Sequence, residues 1–299
     1  MHLLYINWNP DPDIFTIPGI DWPVRWYGLM WALAFIASHF IMNRIYRTEG
    51  RTEKELDLLT VYIIAGTVLG ARLGHCFFYG PLFDYTDPQT GIVHEGYLSH
   101  PLNILKVYEG GLASHGGAIG ILIAMWLYCR KTKESWLWLF DKIVVVVPLA
   151  GMFIRFGNLM NSEIIGTPTT LPWGFIFKTN ETDIINLKAH GIPIPARHPA
   201  QLYEAIYCLI LFVVMYWLWK NKRNRFGPGF MFGLMCVLLF TERFFDEFIK
   251  ENQEAFENHM TFNMGQLLSI PFVLIGFYFM WRARKADSSS KQTGAQTNV

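Results

Sequence analysis

The chain has 299 residues, 52% of them hydrophobic and only 16% charged, and its mean hydropathy of +0.23 is high for a water-soluble domain. Such a composition points to a polytopic membrane protein, and a net charge of +1 gives no global basic signal for nucleic acid. Cys76, Cys129, Cys208 and Cys236 lie in apolar stretches without CxxC spacing, which excludes a secreted disulfide framework and reads as four small core residues. No basic stretch leads into an apolar core at the N-terminus, so no cleaved signal peptide is expected.

An apolar run of about 20 residues can cross a bilayer as a helix. Seven runs qualify, roughly 24–45, 58–79, 112–129, 138–159, 201–219, 227–248 and 265–281. The predicted fold is therefore all-α, a polytopic integral membrane protein of seven transmembrane helices in a single domain over 1–285. External connections are expected at about 80–111 and 160–200, where their length suggests function or small elements of their own. The polar, small-residue tail 286–299 is expected to be disordered.

Loop charges orient the spans. Arg44, Arg47, Arg51 and Lys54 flank the first connection, Arg130, Lys131 and Lys133 the third, and Lys220, Lys222, Arg223 and Arg225 the fifth; Arg282, Arg284, Lys285 and Lys291 follow the last span. The alternate connections are poor in base, with Lys106, then Lys178, Lys188 and Arg197, then Lys250. The N-terminus is thus predicted outside and the C-terminus in the cytoplasm.

On this topology the intramembrane polar residues share the outer half. In chain order they are Tyr27; Arg72, His75 and Tyr79; His115; Arg155, Asn158, Asn161 and Glu163; His198, Gln201, Tyr203 and Glu204; and Arg243, Asp246 and Glu247. Charged groups in spans are costly and mark function by default. Bland readings stand beside this one. Arg72 and Arg155 could snorkel to outer headgroups, and Arg243 could be neutralised by Asp246 or Glu247 on its own helix. Alone, His115 in "GGLASHGGAIG" is a structural histidine as readily as a functional one. His198, before a helix opened by Pro199, is either a cap-region residue or a substrate contact.

The sequence lacks an HExxH pair, a Walker loop and a GxSxG elbow, and its histidines are not spaced as zinc ligands. No cofactor and no metal are expected. Arginine, asparagine, tyrosine and histidine gathered at one depth suit an anionic ligand, most simply a phosphate, which the planar guanidinium meets with a fork of donors.

The motifs "VRWYGLM", "ARLGHCFFY", "GGLASHGGAIG", "RFGNLMNSEIIG", "RHPAQLYEA", "TERFFDEF" and "MGQLLSIP" occur in this order from Val24 to Pro271. In them the chain resembles the prolipoprotein diacylglyceryl transferases of bacterial inner membranes. Arg155, Gly157, Asn158, Asn161, Glu163 and Gly166 match the family signature; Ile154 and Leu159 stand where the family usually has Gly and Phe, and Leu239 where a tyrosine is usual. The resemblance implies transfer of the diacylglyceryl group of phosphatidylglycerol to the lipobox cysteine of a preprolipoprotein, with release of glycerol phosphate. It implies Arg155, Asn158, Tyr27, Glu163, Gly166 and Arg72 as lipid-binding residues, Arg243 beside His115 in catalysis, and Asn161, His198 and Glu247 in support. Chemistry favours His115 as the base, since a thiol of pKa about 8.5 is mostly protonated at neutral pH and histidine titrates nearby. The rival reading is a polytopic transporter of an anionic solute. It predicts polar residues through the whole membrane depth and often an internal repeat; the inner half is nearly bare.

Overall fold

The computed structural model describes residues 5–19, 21–86, 91–106, 111, 113–251, 257 and 260–296. Its elements run β1 (Ile6–Trp8), β2 (Asp13–Ile17), β3 (Trp22–Arg25), α1 (Trp26–Thr48), α2 (Glu53–Phe78), β4 (Tyr85–Thr86), β5 (Val93–His94), α3 (Ser114–Thr132), α4 (Trp136–Ile143), α5 (Val147–Met160), β6 (Phe175–Phe177), α6 (Glu181–His190), α7 (Ala200–Lys222), α8 (Phe230–Asp246) and α9 (Met264–Gln296). The architecture is mostly helical. The short strands are an addition to the expected all-α fold, and apart from the end of β3 they lie outside the apolar runs. β1 pairs in parallel with β6, β2 with β3 and β4 with β5 in antiparallel fashion. Strands of two to five residues carry too little alternation to be read from sequence.

Four helices, α1, α2, α7 and the part of α9 up to Arg284, are long and apolar enough to cross a membrane. A fifth crossing is possible if α4 and α5 count as one span, although they are bent by 47°. The expected single helix over 138–159 is therefore broken. Pro148, near the start of α5, has no N–H for the preceding turn, and the run Val144–Val147 is β-branched. α3 and α8 coincide with the two remaining apolar runs. From residue 286 the backbone continues the helix of α9 where composition suggests disorder; Ala, Lys and Gln are good helix formers at the end of an existing helix.

The chain divides into two units, Met1–Met42 with Phe140–Val299, and Asn43–Leu139. In the Asn43–Leu139 unit α2 begins with a capping box: Thr52 Oγ1 accepts from Glu55 N at 3.3 Å and the Glu55 carboxylate accepts from Thr52 N at 2.8 Å. α2 and α3 meet through glycines. A Cβ on Gly70 would lie 2.8 Å from Gly120 Cα, and one on Gly74 2.7 Å from Gly116 Cα. Only glycine permits this backbone approach, the usual device where lipid supplies no hydrophobic drive between helices. Gly110 and Leu112 of the glycine-rich motif lie outside the described residues.

In the larger unit Asp141 accepts from Gly229 N at 2.7 Å and Phe232 N at 2.9 Å, capping α8. Asn263 and Gln266 exchange reciprocal side-chain to backbone bonds at the start of α9. Outside the long helices, Leu159, Ile165, Phe175 and Phe177 form a buried apolar cluster with Trp8 and Leu202 against it. The Trp8 indole also donates to Leu159 O at 2.8 Å. That cluster gives Leu159, where the family usually has Phe, an apolar role of its own.

Candidate active site

The last turn of α5 carries Arg155 and Asn158 three residues apart, hence on one face. Beyond it the chain reverses through two non-glycine residues with positive φ, Ser162 at 54° and Ile164 at 55°. For a β-branched isoleucine this conformation is strained, and strain held by its surroundings gathers at functional sites. The reversal turns Glu163 back toward α5. Its two carboxylate oxygens accept from Asn158 Nδ2 at 3.2 Å and Asn161 Nδ2 at 3.0 Å, while the Gln201 side-chain amide donates to the Glu163 carbonyl. Asn158 and Gln201 are buried. Gly157 makes room for Tyr27: a Cβ there would lie 2.7 Å from the tyrosine ring.

From this turn a chain of charges runs inward. Arg155 Nε contacts Glu204 Oε2 at 2.6 Å, and Arg155 Nη1 reaches Asn158 Oδ1 only at 3.5 Å. The other Glu204 oxygen meets Lys250 Nζ at 2.7 Å, and Lys250 also contacts Asp246 at 2.8 Å and Glu247 at 3.6 Å. Arg243 approaches Glu247 at 3.9 Å and keeps 42% of its side chain exposed. Glu247 accepts in addition from Asn263 Nδ2 at 2.9 Å. Burial works against the Lys250 ammonium, but Glu204 and Asp246 outweigh it and hold its pKa above the ordinary lysine range.

Nine of the eleven expected site residues thus fall within one connected neighbourhood of the larger unit: Tyr27, Arg155, Asn158, Asn161, Glu163, Gly166, His198, Arg243 and Glu247. Gly166 enters through packing. Its N–H donates to His198 O at 3.0 Å, and a Cβ would lie 2.6 Å from that carbonyl and 2.8 Å from Ile249 O. This backbone approach is by itself a reason for glycine at the position. His198 sits just before α7, whose N-cap is Pro199, with Nδ1 3.4 Å from Tyr203 Oη.

In the Asn43–Leu139 unit Arg72 is buried. Its Nε donates to Ile104 O at 2.9 Å, Nη2 to Asn103 O at 2.6 Å and Nη1 to Gly111 O at 3.3 Å, and its guanidinium lies over the Tyr97 ring. These partners direct the Arg72 side chain onto the loop rather than out along the helix, and they show it holding that loop. Such a hold satisfies carbonyls that would otherwise be unpaired. His75 and Tyr79 stack with ring centroids 6.2 Å apart, as their spacing predicts. His115 is exposed on the first turn of α3, and no hydrogen bond or ion pair reaches its ring among the described residues.

A family model described as Prolipoprotein diacylglyceryl transferase matches residues 12–282. A Bacteroides fragilis protein named phosphatidylglycerol–prolipoprotein diacylglyceryl transferase is 46% identical over 96% of this chain and 98% of its own. Similar proteins of the same name from Tolumonas auensis and Chloroherpeton thalassium are 43% and 39% identical, over 93% and 96% of the chain and 97% of each relative. The chain belongs to the prolipoprotein diacylglyceryl transferase family. Nothing in these relatives supports the transporter alternative.

Within this transferase, sequence reasoning left Lys250 and Arg197 as ordinary loop charges. Lys250 lies four residues after Asp246, a spacing that would have paired them had the helical phase been carried past α8. Arg197 is buried, grips Asp183 with two bonds of 2.8 and 2.7 Å, and reaches Glu251 at 2.5 Å. Burial disfavours its charge; Asp183 and Glu251 more than offset this and raise its pKa. Asp183 lies in α6 and Glu251 beyond α8, so no local spacing announces the clamp.

Proposed function

We propose that this chain is a seven-span enzyme of the bacterial inner membrane, N-terminus outside and C-terminus in the cytoplasm, that moves the diacylglyceryl group of phosphatidylglycerol onto the lipobox cysteine of preprolipoproteins. The topology rests on the alternation of basic and base-poor connections and on the coincidence of all seven apolar runs with helices. In the reaction the cysteine sulfur attacks the diacylglyceryl carbon bonded to a phosphate oxygen. The carbon–sulfur bond forms as the carbon–oxygen bond breaks, and glycerol phosphate leaves with the bonding pair. The thiol proton passes to a base, for which His115 is the candidate, exposed at the start of α3.

Negative charge grows on the departing phosphate. Fixed cations aimed at that charge in a water-poor site stabilise the transition state, each donor by about 3 kcal/mol in comparable oxyanion sites. The observation that carries this reading is Arg155: its Nε rests on buried Glu204, which fixes the side chain and leaves the Nη end toward the turn of Asn158 and Glu163. Arg243, exposed and only distantly paired, is the second phosphate cation. Tyr27, Asn158, Asn161 and Glu163 orient the headgroup. The test is to incubate purified protein in detergent with phosphatidylglycerol and a lipobox peptide and to weigh the peptide. A gain of one diacylglyceryl mass is expected; no gain, under conditions where a Bacteroides fragilis relative gives one, refutes the proposal.

A further inference from the structure

The carboxylate that holds Arg155 is itself held, and by an unusual partner. Lys250 is 5% exposed, yet it lies just past the end of α8, where a lysine could reach water. Its ammonium is turned inward onto Glu204 of α7 and Asp246 of α8, at 2.7 and 2.8 Å, with Glu247 at 3.6 Å. Its backbone is fixed as well. Gly166 and Lys250 form an antiparallel bridge, Thr167 N donates to Ile249 O at 2.8 Å and Glu251 N to Ile165 O at 3.1 Å. Lys250 is therefore tied on one side to the chain that leaves the Arg155–Gly166 segment and on the other to the carboxylate under Arg155.

We propose that Lys250 is a positioning residue that keeps Arg155 available to the lipid phosphate by occupying one oxygen of Glu204. An arginine and a carboxylate left to themselves favour a two-toothed pairing, in which both oxygens meet two N–H groups of the guanidinium. Here Glu204 divides its oxygens, Oε2 to Arg155 Nε and Oε1 to Lys250 Nζ. With Oε1 drawn into the ion pair with Lys250, the carboxylate is held in an orientation that disfavours a second tooth of the guanidinium, and the Nη end is kept for an anion. Without the ammonium, Oε1 turns onto Arg155 and competes with the phosphate. Lys250 acts through Arg155 and touches no substrate, and the inference rests on the headgroup reading of Arg155.

The test is steady-state transfer from phosphatidylglycerol in mixed micelles to a lipobox peptide, with melting followed in parallel. Lys250→Met is expected to raise the KM for phosphatidylglycerol about tenfold or more, the scale of a lost charge-assisted bond, whereas Lys250→Arg, which can still occupy Oε1, restores it to within a few-fold. Removing a buried cation can also unfold the protein, so two charge-balanced doubles carry the decision. Lys250→Met with Glu204→Gln keeps an amide oxygen to hold Arg155 Nε but leaves no carboxylate to sequester the fork, and its KM is expected to fall well below that of Lys250→Met alone. Lys250→Met with Asp246→Asn relieves the same charge imbalance but leaves Glu204 free to grip Arg155, and its KM is expected to stay high. Equal recovery in both doubles, or a Lys250→Met that melts lower with KM unchanged, overturns the proposal and leaves Lys250 a structural cation. Arg155→Lys separates the underlying reading: if it leaves KM and kcat untouched, Arg155 does not meet the headgroup and both claims fall.

Discussion

Arg72 and Arg155 are both arginines in apolar helices, and both are largely withdrawn from solvent, yet their partners assign them opposite tasks. Arg72 spends Nε, Nη1 and Nη2 on three backbone carbonyls of the following connection. Those acceptors are neutral, they lie in Asn103, Ile104 and Gly111, and the result is a loop held against α2. Arg155 is anchored by one carboxylate through Nε, with 18% of its side chain exposed. A guanidinium with all three of its nitrogens bonded to backbone carbonyls reads as architecture. One anchored at its neck, with a carboxylate already balanced by a second cation, is poised for an anion. The depth expected from sequence could not separate the two, because residue type and expected depth are the same for both.

The comparison can be broken by substitution. The largest effect is expected at the proposed chemistry: His115→Ala should lower kcat by about 10² to 10⁴-fold, the range for general-base loss, without a change in melting temperature, since its ring has no partner among the described residues. A melting loss with unchanged kcat would make His115 structural. Next, Arg155→Ala should lower kcat/KM by about 10² to 10³-fold, measured by peptide mass gain. Gly157→Ala is smaller. Its Cβ would press on the Tyr27 ring, and about tenfold loss is expected from this displacement of a positioning group, with Gly157→Ala/Tyr27→Ala no worse than Tyr27→Ala alone. Smallest is Asp84, whose carboxylate accepts from Gly96 N at 2.6 Å and is held below the usual carboxylate range chiefly by that bond. A depressed folded pKa means its contribution is present above the ordinary Asp pKa and lost as pH falls through the folded value. Protection of the Gly96 amide, its exchange relative to the intrinsic rate at each pH, should therefore fall in acid and in Asp84→Asn, with transfer activity untouched.

Much of this was legible in the residues and part was not. Each of the seven apolar runs overlaps helix, because hydropathy over about 20 residues is a strong signal, but only four helices, or five with the bent α4–α5 pair, are long and apolar enough to cross a membrane, and Pro148 marks the break in the fourth run. The residues of the signature from Arg155 to Gly166 do lie together in the fold, and the i,i+4 spacing gave the Arg243–Glu247 pair. What stayed hidden depended on contacts between distant segments. The carbonyls under Arg72 have no side-chain signature, β1 meets β6 across most of the chain, and Arg197 finds Asp183 and Glu251 only after folding. Gly166 was legible as a required glycine but not as one required by the approach of His198 and Ile249.

The account is tested most directly by making Arg155→Lys and Arg72→Lys side by side, each keeping the charge and losing the fork, and measuring both melting temperature and kcat/KM for phosphatidylglycerol per folded molecule. It predicts that Arg155→Lys loses about 100-fold in kcat/KM with little change in melting, and that Arg72→Lys melts several degrees lower while its folded fraction still transfers. The reverse pattern, a Arg72→Lys protein that folds normally but cannot use the lipid and an Arg155→Lys protein that can, would contradict it.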